Sequence, residues 1–231
     1  MDDVVYLPRA VFIPAADALV VADLHIGRSE ASDVEYPIGE RRDLLERLRG
    51  LLTTVDPETA VFAGDVLHQF GTVSERSRET VERLVSACRD AGSSPVFVRG
   101  NHDAALDSVR DDVRDAYVAS DDPRTVVCHG HEEPSIDAER YVIGHDHPAI
   151  EIEGQRRPCF LDIPDAYGDA DVLMLPAFSR LAAGVEISDA RPDDLLSPLV
   201  DDLDRARPVV YDEDGAEALA FPPLGSFRRM L

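Results

Sequence analysis

Five short apolar runs in this chain each end in a cluster of polar, metal-seeking residues: ALVVADLH, TAVFAGD, PVFVRGNHD, TVVCHGH and RYVIGHDH. Apolar runs of this length, bounded by Gly, Asp and Asn, predict buried strands. Of the seven histidines in the chain, six (His25, His102, His129, His131, His145 and His147) fall inside the clusters, and His68 lies just outside one. In a strand-terminated α/β fold, residues just past the carboxyl ends of neighbouring strands meet at one crevice.

Between the first runs, IGERRDLLERLRGLL (Ile38 to Leu52) and VSERSRETVERLVSACRDA (Val73 to Ala91) place Leu or Val three and four residues apart, which predicts two helices. Strand, helix and strand in alternation predict crossover units and an α/β fold with a partly parallel sheet. After Arg124 the pattern changes to short strands with short connections: TVVC, YVI, AIEIEG, PCFLDI, DVLML and ARPVVYD. A second, more antiparallel sheet is expected there, so that two mixed sheets pack face to face with helices outside. The Asp- and Leu-rich stretch from Ala190 to Asp204 fits either a short surface helix or an ordered loop. With no low-complexity linker between the clusters, residues 1–231 are expected to form a single domain.

The formal net charge is -23, and all 23 basic residues are arginine. A disordered acidic chain is at odds with 44% apolar residues and recurrent strand patterns. Acids dispersed over a folded surface suit a halophilic protein, since at 1 M salt the Debye length is about 3 Å and self-repulsion is screened. On that reading the acidity says little about the partner. Cys88, Cys128 and Cys159 form no CxxC pair and no disulfide framework, so a reducing, cytoplasmic setting is expected. No secretory leader and no membrane span are expected either.

Each cluster alone has an ordinary alternative. Asp23-Leu24-His25 and Gly64-Asp65 also suit solvated turns after strands, although residues two apart on an extended chain would aim Asp23 and His25 at one point. Gly100-Asn101-His102-Asp103 sets an amide beside an imidazole, and its Asn or Asp also suits the N-cap of a short helix beginning near Ala104. His129-Gly130-His131 and His145-Asp146-His147 repeat the spacing. Cys128 points to the other face as strand filler. Together the clusters make one oxygen- and nitrogen-only site, suited to manganese, iron, zinc or related ions. Two divalent ions bring four charges and Asp23 with Asp65 removes two, leaving about two positive charges for a phosphate ester.

These residues resemble the calcineurin-like metallophosphoesterase superfamily, whose pattern is DxH, GD, GNH[DE], a histidine in an HG context and GHxH. The chain is most similar to the small archaeal phosphoesterases related to the Mre11 and SbcD nucleases. LPAFS (Leu175 to Ser179) resembles the family's late strand. The resemblance implies a four-layer α/β/β/α sandwich and two divalent ions, manganese first, with iron, zinc, nickel or cobalt as alternatives. It implies that Asp23, His25 and His147 hold one ion, that Asn101, His129 and His145 hold the other, and that Asp65 bridges them. His102 would stand off the ions as an imidazolium near the leaving-group oxygen or a non-bridging phosphoryl oxygen, and a metal-held hydroxide would attack phosphorus in line. Where many members carry an acid that pairs with this histidine, the chain has His68. That histidine is open between a substrate contact, a second proton carrier and a backbone-bonded helix-start residue. His131 is open between supporting a ligand and touching phosphate.

Arg28 and Arg99 are the basic side chains nearest the clusters, and each would hold a phosphate or pair with a surface acid. The larger nucleases of the superfamily carry a capping domain and an ATPase partner. No matching extension or heptads occur here, so an open site is expected. The expected activity is hydrolysis of phosphate esters, diesters of nucleic acid or nucleotides first. The alternatives are monoester hydrolysis on a small metabolite and a non-catalytic protein-binding scaffold. A protein partner is compatible with the sequence and is not specified by it.

Overall fold

The computed structural model describes residues 4–31, 39–68 and 71–228. Along the first half run β1 (Val5–Leu7), β2 (Ala10–Ile13), β3 (Ala18–Val21), α1 (Arg28–Ala31), α2 (Glu40–Val55), β4 (Thr59–Ala63), α3 (Glu75–Asp90), β5 (Ser94–Val98) and β6 (Val113–Arg114). They build a six-stranded sheet in chain order. The β1–β2–β3 meander is antiparallel, and β3 through β6 are parallel.

The second half contributes β7 (Ala116–Asp121), β8 (Arg124–Cys128), β9 (Arg140–Ile143), β10 (Pro148–Ile152), β11 (Gln155–Pro158), β12 (Phe160–Tyr167), β13 (Ala170–Met174), β14 (Val185–Glu186), β15 (Arg207–Asp212), β16 (Glu217–Ala220) and α4 (Leu224–Phe227). Seven of these strands form a mixed sheet in the order β16-β15-β12-β13-β9-β8-β7, while β11, β10 and β14 form a small third sheet. In the large sheet β8, β9 and β13 run parallel and every other neighbouring pair runs antiparallel.

The two large sheets pack face to face. Val11, Val20, Val61 and Val98 from the first meet Val127, Val142, Phe160 and Leu173 from the second in one apolar cluster. These come from near-continuous apolar runs, as strands buried on both faces require. The outer face of the first sheet is closed by α2 and α3, through Leu44, Leu48, Leu52, Val81 and Leu84 against Leu19, Phe62 and Phe97. Each fully buried leucine there contributes roughly 1.5–3 kcal/mol.

Both predicted helices form with shifted ends. The first predicted residue, Ile38, lies outside the described residues; α2 runs three residues past Leu52 and stops at Asp56, which is left-handed and donates its N–H to the Leu52 carbonyl. Ser74 caps α3, its hydroxyl accepting from the Ser77 N–H at 3.0 Å. On the outer face of the second sheet the cover is mostly non-helical. The small sheet and the stretch around Ala190 to Asp204 lay Ile150, Ile187, Leu195, Leu199 and Leu203 over Leu161, Val172 and Met174, beside α4. That stretch is an ordered loop with one 3-10 turn, Pro192–Asp194; Leu195, Leu199 and Leu203 are core, whereas Leu196 is exposed.

Candidate metal centre

The parallel strands β3, β4 and β5 deliver Asp23 and His25, Asp65, and Asn101 and His102; β8 and β9 deliver His129 and His131, and His145 and His147. The convergence of Asp23 with His25, and of His145 with His147, does not come from extended chain as expected. Asp23 (φ 58°), His25 (48°), Asp65 (47°), His145 (75°) and His147 (52°) are all left-handed. Each loop curls just past its strand, so both side chains turn inward while the amides bond across. The N–H groups of Asp23 and His25 donate to the carbonyls of Gly64 (3.1 Å) and Asp65 (2.9 Å). Non-glycine residues pay for this conformation, and its clustering at one spot marks a functional site.

The loops press so closely that two motif glycines are sterically required. A Cβ on Gly100 would lie 2.3 Å from Oδ1 of Asp65, and one on Gly144 would lie 2.3 Å from Oδ2 of Asp23. Asp65 Oδ1 accepts from the His102 N–H at 2.9 Å, and Asp23 accepts from the His145 N–H at 3.1 Å.

Two groups of ligand atoms result: Asp23, His25 and His147, and Asp23, Asp65 and His129. His147 Nε2 stands 3.1 Å from Asp23 Oδ1 and 3.2 Å from His25 Nε2. His129 Nε2 stands 3.4 Å from Asp65 Oδ1 and 3.0 Å from Asn101 Oδ1. Asp65 also faces the first group, with Oδ2 3.9 Å from His25 Nε2. His145 is in neither tight group; its ring centroid lies 5.0 Å from that of His129.

The donor set fits divalent cations. His129 Nδ1 sits 3.2 Å from the Ala63 carbonyl, and a proton donated there leaves the Nε2 lone pair facing the Asn101 amide oxygen. Two lone pairs turned toward one another are relieved by a shared cation. Charge points the same way. Asp65 is pushed up to about 8 by burial and by the neighbouring Asp23 charge. Burial opposes ionisation of Asp23 as well, but His147, His129 and His25 together hold it below the usual carboxylate range. Burial lowers His25 to about 3 and His129 to about 4, so both rings are neutral, the form that ligates metal.

His102 is half-buried beside this cluster, its Nε2 3.9 Å from Asp65 Oδ2. Among the described residues no carboxylate stands where the missing dyad acid would; the backbone of His68 lies beside the His102 ring instead and favours its protonated form. The His68 ring stacks on it, centroids 5.7 Å apart and planes 10° from parallel. Burial lowers His102 below its ordinary value, so the expected imidazolium is not the form this pocket favours by itself. Arg28 stands close enough for its charge to depress both His68 and His102. Arg99 is taken up by Asp107 and Asp115, at 2.9 and 3.5 Å, as a surface ion pair. His131 lies at the rim, 5.2 Å from the His129 ring and 4.0 Å from Glu132.

Two acids stabilise the loops without facing the cluster. Asp103 does not cap a helix; its carboxylate accepts from the N–H groups of Gly100 (2.9 Å), Leu67 (2.8 Å) and Val66 (3.2 Å). Asp146 accepts from Leu196 (2.8 Å) and Ser197 (3.1 Å). LPAFS lies past the end of β13 rather than in it, where Phe178 and Ser179 donate to the carbonyls of Ala22 and Asp23. Sequence reasoning also missed Arg9, Arg156 and Arg180, which line a cleft beside His147. Spread over 171 positions, they share no local pattern.

Comparison with known proteins gives a consistent picture. The family model described as calcineurin-like phosphoesterase matches residues 17–174. Among solved structures, the nuclease MPE of Pseudomonas putida is 26% identical, with a TM-score of 0.61 over 88% of each chain. The E. coli phosphoesterase YfcE is 16% identical, with a TM-score of 0.44 over 89% of this chain and 98% of that one. No curated protein matches the chain significantly.

Proposed function

The chain belongs to the calcineurin-like phosphoesterase family, hydrolases acting on ester bonds, and from that premise we propose that it is a metal-dependent phosphodiesterase acting on nucleic acid or nucleotides. The observation that carries this reading is the meeting of two buried carboxylates, Asp23 and Asp65, with the neutral rings of His25 and His129. The likeness to a nuclease over most of both chains supports diesters over monoesters.

In this reading Asp23, His25 and His147 would hold one divalent ion, Asn101, His129 and His145 would hold the second, and Asp65 would serve both. Bound there, such ions, manganese first, would supply Lewis-acid chemistry: neutralisation of phosphate charge and a lowered pKa for an attacking water. His102 stands beside the centre, exposed enough to meet a leaving-group oxygen and give it a proton. Stacking on the His68 ring orients the His102 ring, and the arriving phosphate would supply the negative charge that raises its proton affinity. Arg28 adds a positive charge on the same side.

The test compares bis-p-nitrophenyl phosphate with p-nitrophenyl phosphate, with Mn2+ and KCl on the order of 1 M to screen self-repulsion. Diester turnover is expected, falling by about 10³-fold or more in Asp65→Asn, which loses a charge from between the ions. Monoester turnover alone would replace the reading with a metabolite phosphatase. Metal binding without turnover of either ester would favour a scaffold.

A further inference from the structure

Beside His147 the surface opens into a cleft of about 210 Å³ whose lining includes Arg9, Arg156 and Arg180 and no carboxylate. That is unexpected in a chain with 46 acids against 23 arginines. Arg9 occupies the turn between β1 and β2 in a left-handed conformation (φ 56°), a position where glycine would be unstrained. Its guanidinium is fixed by donating to the carbonyls of Ala177 (2.7 Å) and Ser179 (3.4 Å). Among the described residues neither Arg9 nor Arg156 has a carboxylate within 4.0 Å, although Arg156 donates to the Gly184 carbonyl. Arg180 and the adjoining Arg47 share Asp43, and Arg180 also reaches Glu213. With Glu151, the cross-strand neighbour of Arg156, counted beside Asp43 and Glu213, four guanidiniums face three carboxylates, and the group keeps a net positive charge.

The cleft is continuous with the candidate centre. Val185 donates to the His147 carbonyl at 3.1 Å, and a Cβ on Gly184 would lie 2.0 Å from that oxygen, so the cleft wall rests directly on a candidate ligand. The opposite flank has the reverse character. There a smaller hollow of about 110 Å³ is lined by His131 together with Asp115, Glu132 and Glu133. An anion is attracted on the His147 side and repelled on the His131 side.

We propose that the Arg9–Arg156–Arg180 cleft binds a second, non-scissile phosphate of the substrate, so that the ester cleaved beside it belongs to a nucleic-acid strand extending along the His147 side. This rests on the phosphodiesterase reading, and binding can be measured apart from turnover. The Mn2+-loaded full chain would be titrated into fluorescently labelled oligothymidylate with phosphorothioate linkages, a dimer and a hexamer, across a KCl series. Wild type should bind the hexamer at least tenfold tighter than the dimer.

In Arg156→Gln/Arg180→Gln, both exposed positions, hexamer affinity should fall about tenfold or more. The log–log salt slope should become shallower by about 0.7 for each lost contact. Arg156→Gln alone should give part of both effects. Arg49→Gln, one positive charge removed from the exposed face of α2, should match wild type. Equal hexamer binding and equal slopes in wild type and the double variant would overturn the subsite. So would an equal loss in Arg49→Gln, which would assign the effect to net charge. Absence of bis-p-nitrophenyl phosphate turnover would instead sink the phosphodiesterase reading, whatever the binding data show.

Discussion

The first sheet brings the carboxylates and the amide to the centre, Asp23, Asp65 and Asn101, whereas the second brings only imidazoles there, His129, His131, His145 and His147. The two sets are also held differently. In the first half, the loops after β3 and β4 are bonded to each other through main chain: Asp23 to Gly64, His25 to Asp65, Ile26 to Val66, and His68 back to Ile26. Asp103 then ties the loop after β5 onto the same ladder. In the second half, the His145–His147 loop has main-chain bonds of its own, Val185 donating to the Asp146 and His147 carbonyls, and it also leans on two side chains. Asp23 holds its start and Asp146 pins its middle to the 196–197 backbone. The acids are thus tied chiefly through main chain, while the loop carrying His145 and His147 depends more on carboxylates, so loss of a carboxylate should disturb the imidazoles more than the acids.

The strongest test removes the tie in the first half. Asp103→Ala leaves three buried N–H groups without an acceptor, at a cost of about 1–3 kcal/mol each for groups that find no water. A loss of about 3 kcal/mol or more in urea unfolding, with the midpoint falling and the slope unchanged, is expected. A loss below about 1 kcal/mol would show that the main-chain ladder holds without Asp103 and would weaken the contrast between the halves.

A smaller effect is expected in the second half, and it should fall on metal rather than on the fold. Asp146→Ala frees two N–H groups and should cost about 2 kcal/mol of stability. Because the carboxylate sits between two candidate ligands and fixes their loop, Mn2+ affinity should drop roughly 10- to 100-fold by calorimetric titration. Unchanged Mn2+ affinity would mean that the left-handed backbone alone positions His145 and His147.

The contrast between the halves also explains what could be read in the residues beforehand. The strands and both long helices are short-range patterns, and the clusters at strand ends are short-range too. Meeting at one point then follows from parallel neighbours such as β3, β4 and β5. The left-handed loops were not readable, because φ at Asp23 or His147 is set by contacts with other loops rather than by neighbours in sequence. Leu195, Leu199 and Leu203 keep a four-residue spacing that would suit a helix, yet they cover a sheet from an irregular loop, so their spacing alone could not decide between helix and loop. Asp103 and Asp146 lie within quoted motifs, but their work is to accept backbone N–H groups, which no motif spells out. The arginine cleft draws on a hairpin turn, β11 and the loop after β13, and only folding assembles it.

The smallest effect separates buried acids that serve the centre from one that does not. Asp162 lies in β12, on the face that it shares with Phe160, 5% exposed and with Oδ2 unpartnered. Burial, reinforced by Asp171, raises its carboxyl to about 6, against partial relief from Arg140 and Arg207. A raised folded value means that the ionised form opposes folding. Below the unfolded value, near 3.8, the group is protonated in both states and costs nothing. As pH climbs through about 6 the penalty grows to its full size, about 3 kcal/mol, and then stays constant. Asp162→Asn should therefore stabilise the protein by about 1–2 kcal/mol at pH 8, and the gain should vanish near pH 4, measured by thermal unfolding at fixed salt. Asp65, raised further by burial beside Asp23, would be relieved by bound cations, whereas Arg140 and Arg207 relieve Asp162 only in part. A gain independent of pH would place the Asp162 effect in packing rather than charge, and would remove this acid from the comparison.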